Sequence, residues 1–460
     1  MSEYRILVIG GGVAGLLATL AVARPGTRVT LIERDAAIGA DSPRKGAPQG
    51  HHVHTLLLSG RDAIEALCPG AYAQLCAAGG HQIDFCADVA FFHYGVWKSR
   101  CRSNFIGTLQ TRPLLEQLLW RRVRRLPNVQ VESGTARRLL VSEDRRRVTG
   151  VEVSARDGGV RGHFGALVVD ASGRGSRLPD WLAQVGLAAP RAETVSFDLR
   201  YASCFCDLPP NPRRDWRALL VYPKAPFGRR AGYIFPVEGN RHLVTLAGYF
   251  GESPTADFAD FRAFARTLPR RELHDAIADA APTSRVQLFH LPAQYRRHYD
   301  RLSDAPSGLI VIGDALCVLD PLFGQGMSVA ACQALELKRC FERSGERPGA
   351  RGWAALQGRI ARQTDVPWLL TSSEAFRYAE TGGNRSRLFA LLQWYAAQVF
   401  ALSAHDAEAY RAFMGLMHLV APLPSVFRPR LVLAALRQAA RARCQGVVMP
   451  GNVPAASPAN

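Results

Sequence analysis

Apolar residues at the start of the chain fall into runs that a glycine-rich turn and a short polar link separate. Tyr4–Ile9 is rich in β-formers, which is the pattern of a strand buried on both faces. Gly10–Gly15 predicts a turn, Leu16–Ala23 a helix, and Arg28–Glu33 a second strand. These segments together predict one βαβ unit of about 30 residues.

The same region has a second interpretation, because Ile6–Ala23 contains 18 uncharged residues between Arg5 and Arg24. Such a run also resembles an export signal or a membrane helix. However, the glycines of Gly10–Gly15 occupy the positions of a phosphate-binding turn, and a strand that ends in Glu33 follows. We therefore interpret the region as strand, turn and helix, and expect a cytoplasmic protein without an export signal.

Further along the chain, apolar runs of strand length and helical patterns alternate, which predicts more βα units. The predicted strands are Val129–Glu132, Val148–Val153, Ala166–Asp170 and Gly308–Gly313, and the predicted helices are Leu114–Arg125, Asp257–Ala281 and Met327–Cys340. The alternating pattern between residues 194 and 246 predicts an antiparallel sheet. The apolar stretches Leu388–Ala404 and Phe413–Leu423 predict a helical layer or a dimer interface, with a surface that lies on a membrane as the alternative.

Length and composition narrow the class of protein. The 460 residues predict two or three domains, and 48% hydrophobic with 21% charged residues is ordinary for a globular protein. The net charge of +18 arises from 53 Arg and only 4 Lys against 39 acidic residues. It indicates either a coding bias or an acidic or anionic partner. No basic run interleaves with aromatic residues, so we expect no nucleic-acid binding.

Cysteine and histidine patterns do not predict a metal site. The ten cysteines form no CxxC pair and no set with zinc spacing, so we interpret them as buried apolar residues in a reducing compartment. The cluster His51, His52 and His54 has no acidic residue or cysteine nearby in sequence to complete a site.

The turn Gly10–Gly15 (GGGVAG) fits the GxGxxG pattern between a strand and a helix. In this pattern the first glycine makes the turn, the second lets the backbone approach a pyrophosphate, and the third lets helix and strand pack closely. The helix N-terminus offers free N–H groups to phosphates. Glu33 ends the next strand, 18 residues after Gly15, where an acid can bind ribose hydroxyls. The motif predicts dinucleotide binding without choosing between FAD and NAD.

A second motif, about 300 residues later, favours a flavin. Gly313 and Asp314 close the predicted strand, and Pro321–Met327 (PLFGQGM) follows. An acid at a strand end can hold a ribityl hydroxyl. A glycine turn that opens a helix can stabilise the negative charge of a reduced flavin.

With these motifs the sequence resembles the FAD-dependent monooxygenases of the p-hydroxybenzoate hydroxylase fold. The resemblance extends over most of the chain. Within that family, the sequence is similar to a bacterial branch that includes epoxidases of polyether antibiotic pathways. The segments that carry it are Pro43–Leu57, Gln110–Leu119, Leu167–Leu182, Tyr233–Tyr249, Val311–Ser328 and Asp365–Glu374.

The resemblance and the two motifs together assign residues to FAD. Glu33 would bind the adenosine ribose, Arg44 and Arg112 would lie near the ribose and pyrophosphate, and Asp314 would hold the ribityl chain. The full set of predicted FAD-binding residues is Gly10, Gly12, Val13, Ala14, Gly15, Glu33, Arg34, Arg44, Gly46, Gln49, Arg112, Asp314, Pro321, Gly324, Gly326 and Met327. His52, Tyr233 and Phe235 are candidates for the substrate pocket, and no catalytic side chain is assigned.

The chain departs from the family at Ser172 and Gly173, where the family usually has Asp-Gly. That motif is linked to binding of FAD and NADPH, so its loss puts direct reduction by a bound nicotinamide in doubt. There is also no second GxGxxG between a strand and a helix. NAD(P)H is expected as the reductant, with a separate flavin reductase as a possible intermediary.

The resemblance implies an α/β fold with a Rossmann-like FAD-binding domain, an inserted antiparallel substrate domain and a C-terminal helical region. The corresponding ranges are 1–70, 101–180 and 291–345 for the FAD domain, 71–100 and 181–290 for the substrate domain, and 346–460 for the helical region. The implied activity is insertion of one oxygen atom from O2 into a small hydrophobic or electron-rich substrate, through a flavin C4a-hydroperoxide, in secondary metabolism.

Three alternatives stay open. The first is a halogenase, although the WxWxIP segment of that branch corresponds here to Ala231–Pro236 without tryptophan. The second is an isoprenoid-type reductase, and the third is a flavin-binding partner protein without turnover. The positive charge further suggests an anionic substrate or one carried on an acidic protein.

Overall fold

The structure is a computed structural model that describes residues 3–35, 44, 46–212, 214–344 and 349–444. Part of the motif segment Pro43–Leu57 and both ends of the predicted helical region 346–460 therefore lie outside the described residues. Among the described helices, none combines the length and the apolar character that crossing a lipid bilayer requires.

The secondary structure mixes strands and helices along the whole chain. The strands are β1 (Tyr4–Ile9), β2 (Thr27–Glu33), β3 (His81–Asp84), β4 (Val89–His93), β5 (Val96–Trp97), β6 (Ile106–Leu109), β7 (Val129–Val141), β8 (Val148–Ala155), β9 (Val160–Phe164), β10 (Leu167–Asp170), β11 (Ala192–Asp207), β12 (Ala218–Val221), β13 (Arg230–Val237), β14 (Arg241–Gly248), β15 (Ala281–Pro282), β16 (Gln287–Arg297), β17 (Leu309–Val311), β18 (Cys317–Val318) and β19 (Gly382–Gly383).

The helices are α1 (Val13–Val22), α2 (Leu58–Leu67), α3 (Ala71–Ala77), α4 (Arg112–Val123), α5 (Leu178–Gln184), α6 (Phe258–Arg266), α7 (Glu272–Ile277), α8 (Gly326–Ser344), α9 (Ala350–Arg362), α10 (Asp365–Ala375), α11 (Phe389–Leu402), α12 (Ala407–Met417) and α13 (Pro429–Cys444). Short 3-10 turns occur at Pro48–His51, Tyr299–Arg301, Gly313–Ala315, Pro321–Phe323 and Leu423–Phe427.

The chain forms two compact units, each built from three segments. Unit 1 comprises 1–80, 110–194 and 294–368, and unit 2 comprises 81–109, 195–293 and 369–460. The assignment of sequence ranges to an FAD domain, a substrate domain and a helical region stays a prediction.

Unit 1 contains a seven-stranded sheet in the order β17-β10-β1-β2-β7-β8-β9. The strands from β17 to β7 run parallel, whereas β8 and β9 continue the sheet antiparallel. Its strand β1 is apolar on both faces, the pattern of a parallel strand that is covered on both sides, and Ile6 and Val8 are fully buried. The predicted strand–turn–helix start is confirmed, with α1 beginning at Val13, three residues earlier than predicted.

Unit 2 is built on an antiparallel sheet in the order β16-β11-β14-β13-β12-β4-β5, in which β4 joins β12 in parallel. One face of this sheet is aliphatic and packs against α6 and α7. Its core includes Ile234, Val244 and Leu246 of the sheet together with Phe261 and Leu273 of the helices. The predicted antiparallel block is confirmed, and the helices after residue 369 form the expected C-terminal helical region.

The predicted single helix Asp257–Ala281 is wrong, because the structure has two short helices there. The first ends at Arg266 and the second begins at Glu272. Pro269 lies between them. A proline lacks an N–H donor and disfavours helical backbone in the preceding residue, so the apolar periodicity continues while the helix does not.

Candidate functional site

The glycine-rich turn of unit 1 is built by close backbone approaches. Gly10 has φ +97°, and a Cβ on it would lie 2.6 Å from the carbonyl oxygen of Ala171, just after β10. A Cβ on Gly15 would lie 1.7 Å from the carbonyl oxygen of Gly10. Any side chain at Gly15 would therefore push α1 away from the turn, as expected for the third glycine of the motif.

The N-terminus of α1 is open to a ligand. Gly12 is its N-cap residue, and no side chain caps it, so the first N–H groups at Val13 and Ala14 have no side-chain acceptor from the cap. A Cβ on Gly12 would meet only the end of the Arg44 side chain, at 3.2 Å. This end of the helix can take an anionic phosphate.

Glu33 lies beside this turn at the end of β2. Its Oε2 accepts a hydrogen bond from the Gly11 N–H at 2.5 Å and one from Arg44 Nη1 at 3.0 Å. Its Oε1 accepts from the Asp35 N–H at 2.8 Å. The carboxylate is thus held at the mouth of the turn, where the motif predicts ribose recognition.

An ion network connects Glu33 to α4. Arg44 Nε donates to Glu116 at 2.9 Å, and Arg112 Nε donates to the other oxygen of Glu116 at 2.8 Å. Burial opposes ionisation of Glu116, but Arg112 and Arg44 outweigh it and lower the pKa of that carboxyl. Buried ions require such partners, so the network holds both arginines in place.

Two members of the network, Asp35 and Glu116, are absent from the predicted set. Glu116 had a usable signal, because it follows Arg112 by four residues on a helix, the spacing of an i,i+4 ion pair. Asp35 accepts a hydrogen bond from the Gly46 N–H at 2.9 Å. Arg34, the preceding residue, is exposed, and its guanidinium lies beside Gly46.

The second motif meets the first in the folded chain. Gly313 has φ +62°, and a Cβ on it would lie 2.7 Å from the Cβ of Ala14 in the first turn of α1. The Gly313 N–H donates to Gln333 Oε1 at 2.7 Å, which fixes this approach. Asp314 follows and is half-buried. Burial raises the pKa of its carboxyl, while Arg112 and Arg174 oppose that shift.

The segment Pro321–Met327 forms a tight turn that leads into α8. The Asp320 carboxylate accepts the Leu322 N–H at 3.0 Å, and Gly324 has φ +63°. Gly326 begins α8, and a Cβ on it would meet no atom within 4 Å. Pro321 is exposed and Met327 is buried. The turn therefore combines an open glycine with a helix start, which suits the edge of a flavin ring.

The loop around Gln49 packs against this turn. A Cβ on Gly324 would lie 3.3 Å from the Thr55 Cβ, and the Leu57 N–H donates to Ser328 Oγ at 3.0 Å. Gln49 is half-buried, and its carbonyl oxygen accepts the His52 N–H at 3.2 Å. The fold thus brings the loop and the turn together from positions about 270 residues apart.

His52 and His54 are neutral at pH 7. Burial lowers the pKa of His52 to about 3. Burial, with Arg112 nearby, lowers the pKa of His54 to about 4. His54 Nδ1 donates to the His52 carbonyl oxygen at 2.8 Å, which fixes its tautomer. His51 is half-buried, and its pKa is lowered by burial.

Ser172, which stands where the family that the chain resembles usually has aspartate, binds the fully buried Asp170. Ser172 Oγ donates to Asp170 Oδ1 at 2.6 Å, and Ser176 Oγ donates to Oδ2 at 2.6 Å. Cβ atoms on Gly173 and Gly175 would meet nothing within 4 Å. The loop after β10 is therefore fixed by its serines and leaves open space at its glycines.

The substrate-pocket candidates belong to different units. His52 lies in unit 1, whereas Tyr233 and Phe235 lie in unit 2. Tyr233 and Phe235 are both buried, on the face of β13 opposite that of Ile234.

The residues of unit 1 fit a flavin dinucleotide. The glycine cradle, the uncapped helix N-terminus and the arginines suit phosphates, and the carboxylates of Glu33 and Asp314 suit ribose and ribityl hydroxyls. When FAD is bound, these residues would hold it, and the cofactor would supply the redox chemistry.

Comparison with known proteins agrees with this fit. The sequence model of the FAD-dependent oxidoreductase family matches residues 5–192. Protein Rv3254 of Mycobacterium tuberculosis is 30% identical over 376 residues, which cover 80% of this chain and 79% of that protein. Squalene monooxygenase 1,2 of Brassica napus is 22% identical over 74% of this chain, which spans 61% of that protein.

Solved structures share the fold at low identity. The flavin-dependent brominase Bmp2 superposes with a TM-score of 0.67 at 15% identity, over 96% of this chain and 99% of the brominase. The p-nitrophenol 4-monooxygenase PnpA of Pseudomonas putida DLL-E4 superposes with a TM-score of 0.60 at 16% identity, over 99% of both chains. The expected α/β fold with an FAD-binding unit is confirmed. The protein binds FAD, and the chain belongs to the FAD-dependent oxidoreductase family.

Proposed function

We propose that this flavoprotein is a monooxygenase that inserts one oxygen atom from O2 into a small organic substrate, by epoxidation or hydroxylation. The observation that carries the proposal is the convergence of Gly10–Gly15, Glu33, Asp314 and Gly324–Met327 in one unit, with the two motifs in direct contact at Gly313. FAD, when bound, supplies the activation of O2.

Epoxidation is the favoured reaction. Two relatives that match 74% and 73% of the chain carry the names squalene monooxygenase and squalene epoxidase. An alkene substrate agrees with the proposed place among epoxidases of bacterial secondary metabolism. The described residues of the site include no aligned acid–base pair, which agrees with chemistry that is centred on the cofactor.

In this proposal the side chains of unit 1 bind and position the cofactor. Glu33 holds the adenosine ribose, Asp314 the ribityl chain, and Arg44 and Arg112 lie near the pyrophosphate. His54 is neutral at working pH, so it holds its proton at Nδ1 and adds no charge beside Arg112.

The electron source is NAD(P)H, delivered in this proposal through a separate flavin reductase in the cytoplasm. The reason is Ser172, which is engaged with Asp170 and offers no carboxylate at the position where the family usually has one. Direct reduction by NADPH is the alternative.

The first test is the visible spectrum of the purified protein, followed by anaerobic addition of NADPH alone and with a flavin reductase. We expect bleaching of bound FAD only with the reductase, and bleaching by NADPH alone would contradict the two-component scheme. Coupled consumption of O2 and an alkene would then support the monooxygenase. Product that forms only with halide, or saturation of the alkene without O2, would replace it by a halogenase or a reductase.

Asp314 offers a matched pair of variants for the cofactor site. Asp314→Ala should weaken FAD binding about tenfold, because it removes a charged hydrogen-bond acceptor. Asp304→Ala, an exposed aspartate ten residues earlier, should leave FAD binding unchanged. Equal FAD affinity of both variants in a fluorescence titration would argue against the assigned role of Asp314.

A further inference from the structure

The antiparallel sheet of unit 2 has a polar, aromatic face that the cofactor site does not use. Alternation along β13 sends Ile234 towards α6 and α7, and Tyr233 to the opposite face. On that opposite face Tyr233 contacts Tyr222 edge-on at 5.3 Å, and Tyr222 contacts His93 edge-on at 5.6 Å. An aliphatic core thus backs a sheet whose other face carries ring hydroxyls and an imidazole.

His93, the last residue of β4, is enclosed by rings. Its imidazole stacks on Phe413 at 5.6 Å and on Phe91 at 5.4 Å, and meets Phe400 edge-on at 4.5 Å. The residue is 7% exposed, and its Nδ1 is buried without a hydrogen-bond partner among the described residues. A buried polar atom without a partner destabilises the fold, so this position needs an explanation.

Lys98 carries a second polar group into the same cluster. It is 5% exposed, its Nζ donates to the Phe400 carbonyl oxygen at 2.7 Å, and it lies 5.7 Å from the Phe400 ring and 5.9 Å from the Phe413 ring. No carboxylate among the described residues forms an ion pair with it. Burial lowers the pKa of this ammonium to about 7.

The acidic group near Tyr94, Glu374, already has a cationic partner. Glu374 pairs with Arg377 at 2.8 Å, and the Arg377 side chain is only 4% exposed and stacks on Tyr94 at 4.8 Å. Arg377 and Lys98 both contribute to a lowered pKa of His93, after burial. The cluster therefore combines a buried lysine that has no ion-pair partner among the described residues, a neutral imidazole with an unused nitrogen, and ring faces.

Buried charges are normally paired, and the cluster lacks the anion that would pair Lys98. Flat ring faces favour a planar unsaturated group over a bulky saturated one. We propose that the cluster of His93, Lys98, Tyr222, Phe400 and Phe413 binds a planar unsaturated carboxylate, whose oxygens accept hydrogen bonds from Lys98 Nζ and His93 Nδ1. This inference rests on the proposed oxygenase function, since it names the substrate class.

The test is calorimetric titration of the full-length, FAD-loaded protein with trans-cinnamate and with its neutral isostere cinnamamide. We expect cinnamate to bind at least about tenfold more tightly, since a buried charge pair discriminates by more than one decade. Lys98→Met should abolish this preference and leave cinnamamide binding unchanged. Lys224→Met, which removes a half-buried lysine of the same unit, should change neither.

A second variant keeps the test decisive if Lys98→Met does not fold. His93→Phe preserves a flat ring and removes Nδ1, and it should weaken cinnamate about threefold or more without affecting cinnamamide. Wild-type protein that binds the two ligands equally would overturn the proposal, as would equal loss of both ligands in either variant. The titration needs no reductant or turnover, so selective cinnamate binding by a protein that never oxygenates would contradict only the proposed function.

Discussion

Unit 1 and unit 2 each contain a buried polar cluster, but the two clusters differ in how their charges are balanced. In unit 1, Arg44 and Arg112 share Glu116, and Arg44 also reaches Glu33. In unit 2, Lys98 has a backbone carbonyl and ring faces as its neighbours. In unit 1 the paired ions fix the side chains around the cofactor site, whereas in unit 2 the proposed ligand would supply the carboxylate partner that Lys98 lacks.

The two sites also differ in what fixes their geometry. The dinucleotide site depends on close packing at Gly10, Gly15 and Gly313, where an added Cβ would lie only 1.7 to 2.7 Å from a neighbouring atom. Small changes there should therefore act on the whole site. The aromatic cluster depends on side chains that meet across a sheet and two helices. It should therefore tolerate conservative changes better than the glycine turn does.

The largest effect is expected at the glycine turn. Gly15→Ala should cost about 3 kcal/mol or more and abolish FAD retention, because its Cβ would overlap the Gly10 carbonyl oxygen. Gly175→Ala, where a Cβ would meet nothing within 4 Å, is the matched control and should bind FAD normally. Denaturant unfolding and flavin absorbance measure both. A yellow Gly15→Ala protein with wild-type stability would contradict the role assigned to this glycine.

A smaller effect is expected from the ion network. Glu116→Gln should lower the free energy of unfolding by about 3 kcal/mol at pH 7, because two buried arginines lose their shared carboxylate. Glu152→Gln removes the exposed ion pair with Arg138 and should change the free energy of unfolding little.

The Glu116 effect has a defined pH dependence. Since the folded-state pKa of Glu116 lies below the usual 4.5, its contribution is complete above that pH and disappears as the pH falls through the lowered value. Denaturant unfolding of the wild type and Glu116→Gln at a series of pH values measures the difference. A difference that does not decrease at acidic pH while the wild type is still folded would contradict the role of the carboxylate charge.

The smallest effect is expected on the aliphatic face of unit 2. Ile234→Val should cost about 1 kcal/mol, the usual loss for one buried methylene, and leave FAD binding unchanged. Leu288→Ala, on an exposed side chain of the same unit, should stay within about 0.5 kcal/mol of the wild type. Loss of FAD from Ile234→Val would contradict the expectation that this face does not contribute to FAD binding.

Most elements of unit 1 were predictable, because their signals are local. β1 begins and ends as predicted, and α4 and α8 differ from the predicted helices by a few residues at their ends. The one predicted helix Asp257–Ala281 failed because periodicity describes the buried face and does not show where Pro269 interrupts the backbone.

Local sequence patterns were enough to predict the glycine turn, Glu33 and the strand-to-helix order, because glycine spacing and an acid at a strand end restrict the backbone locally. The folded chain was needed to show that Ala14 meets Gly313 and that Lys98 lies beside Phe400 and Phe413. Such contacts join residues about 300 positions apart. Burial and charge balance at these positions depend on which distant segments pack together, and no local pattern records that.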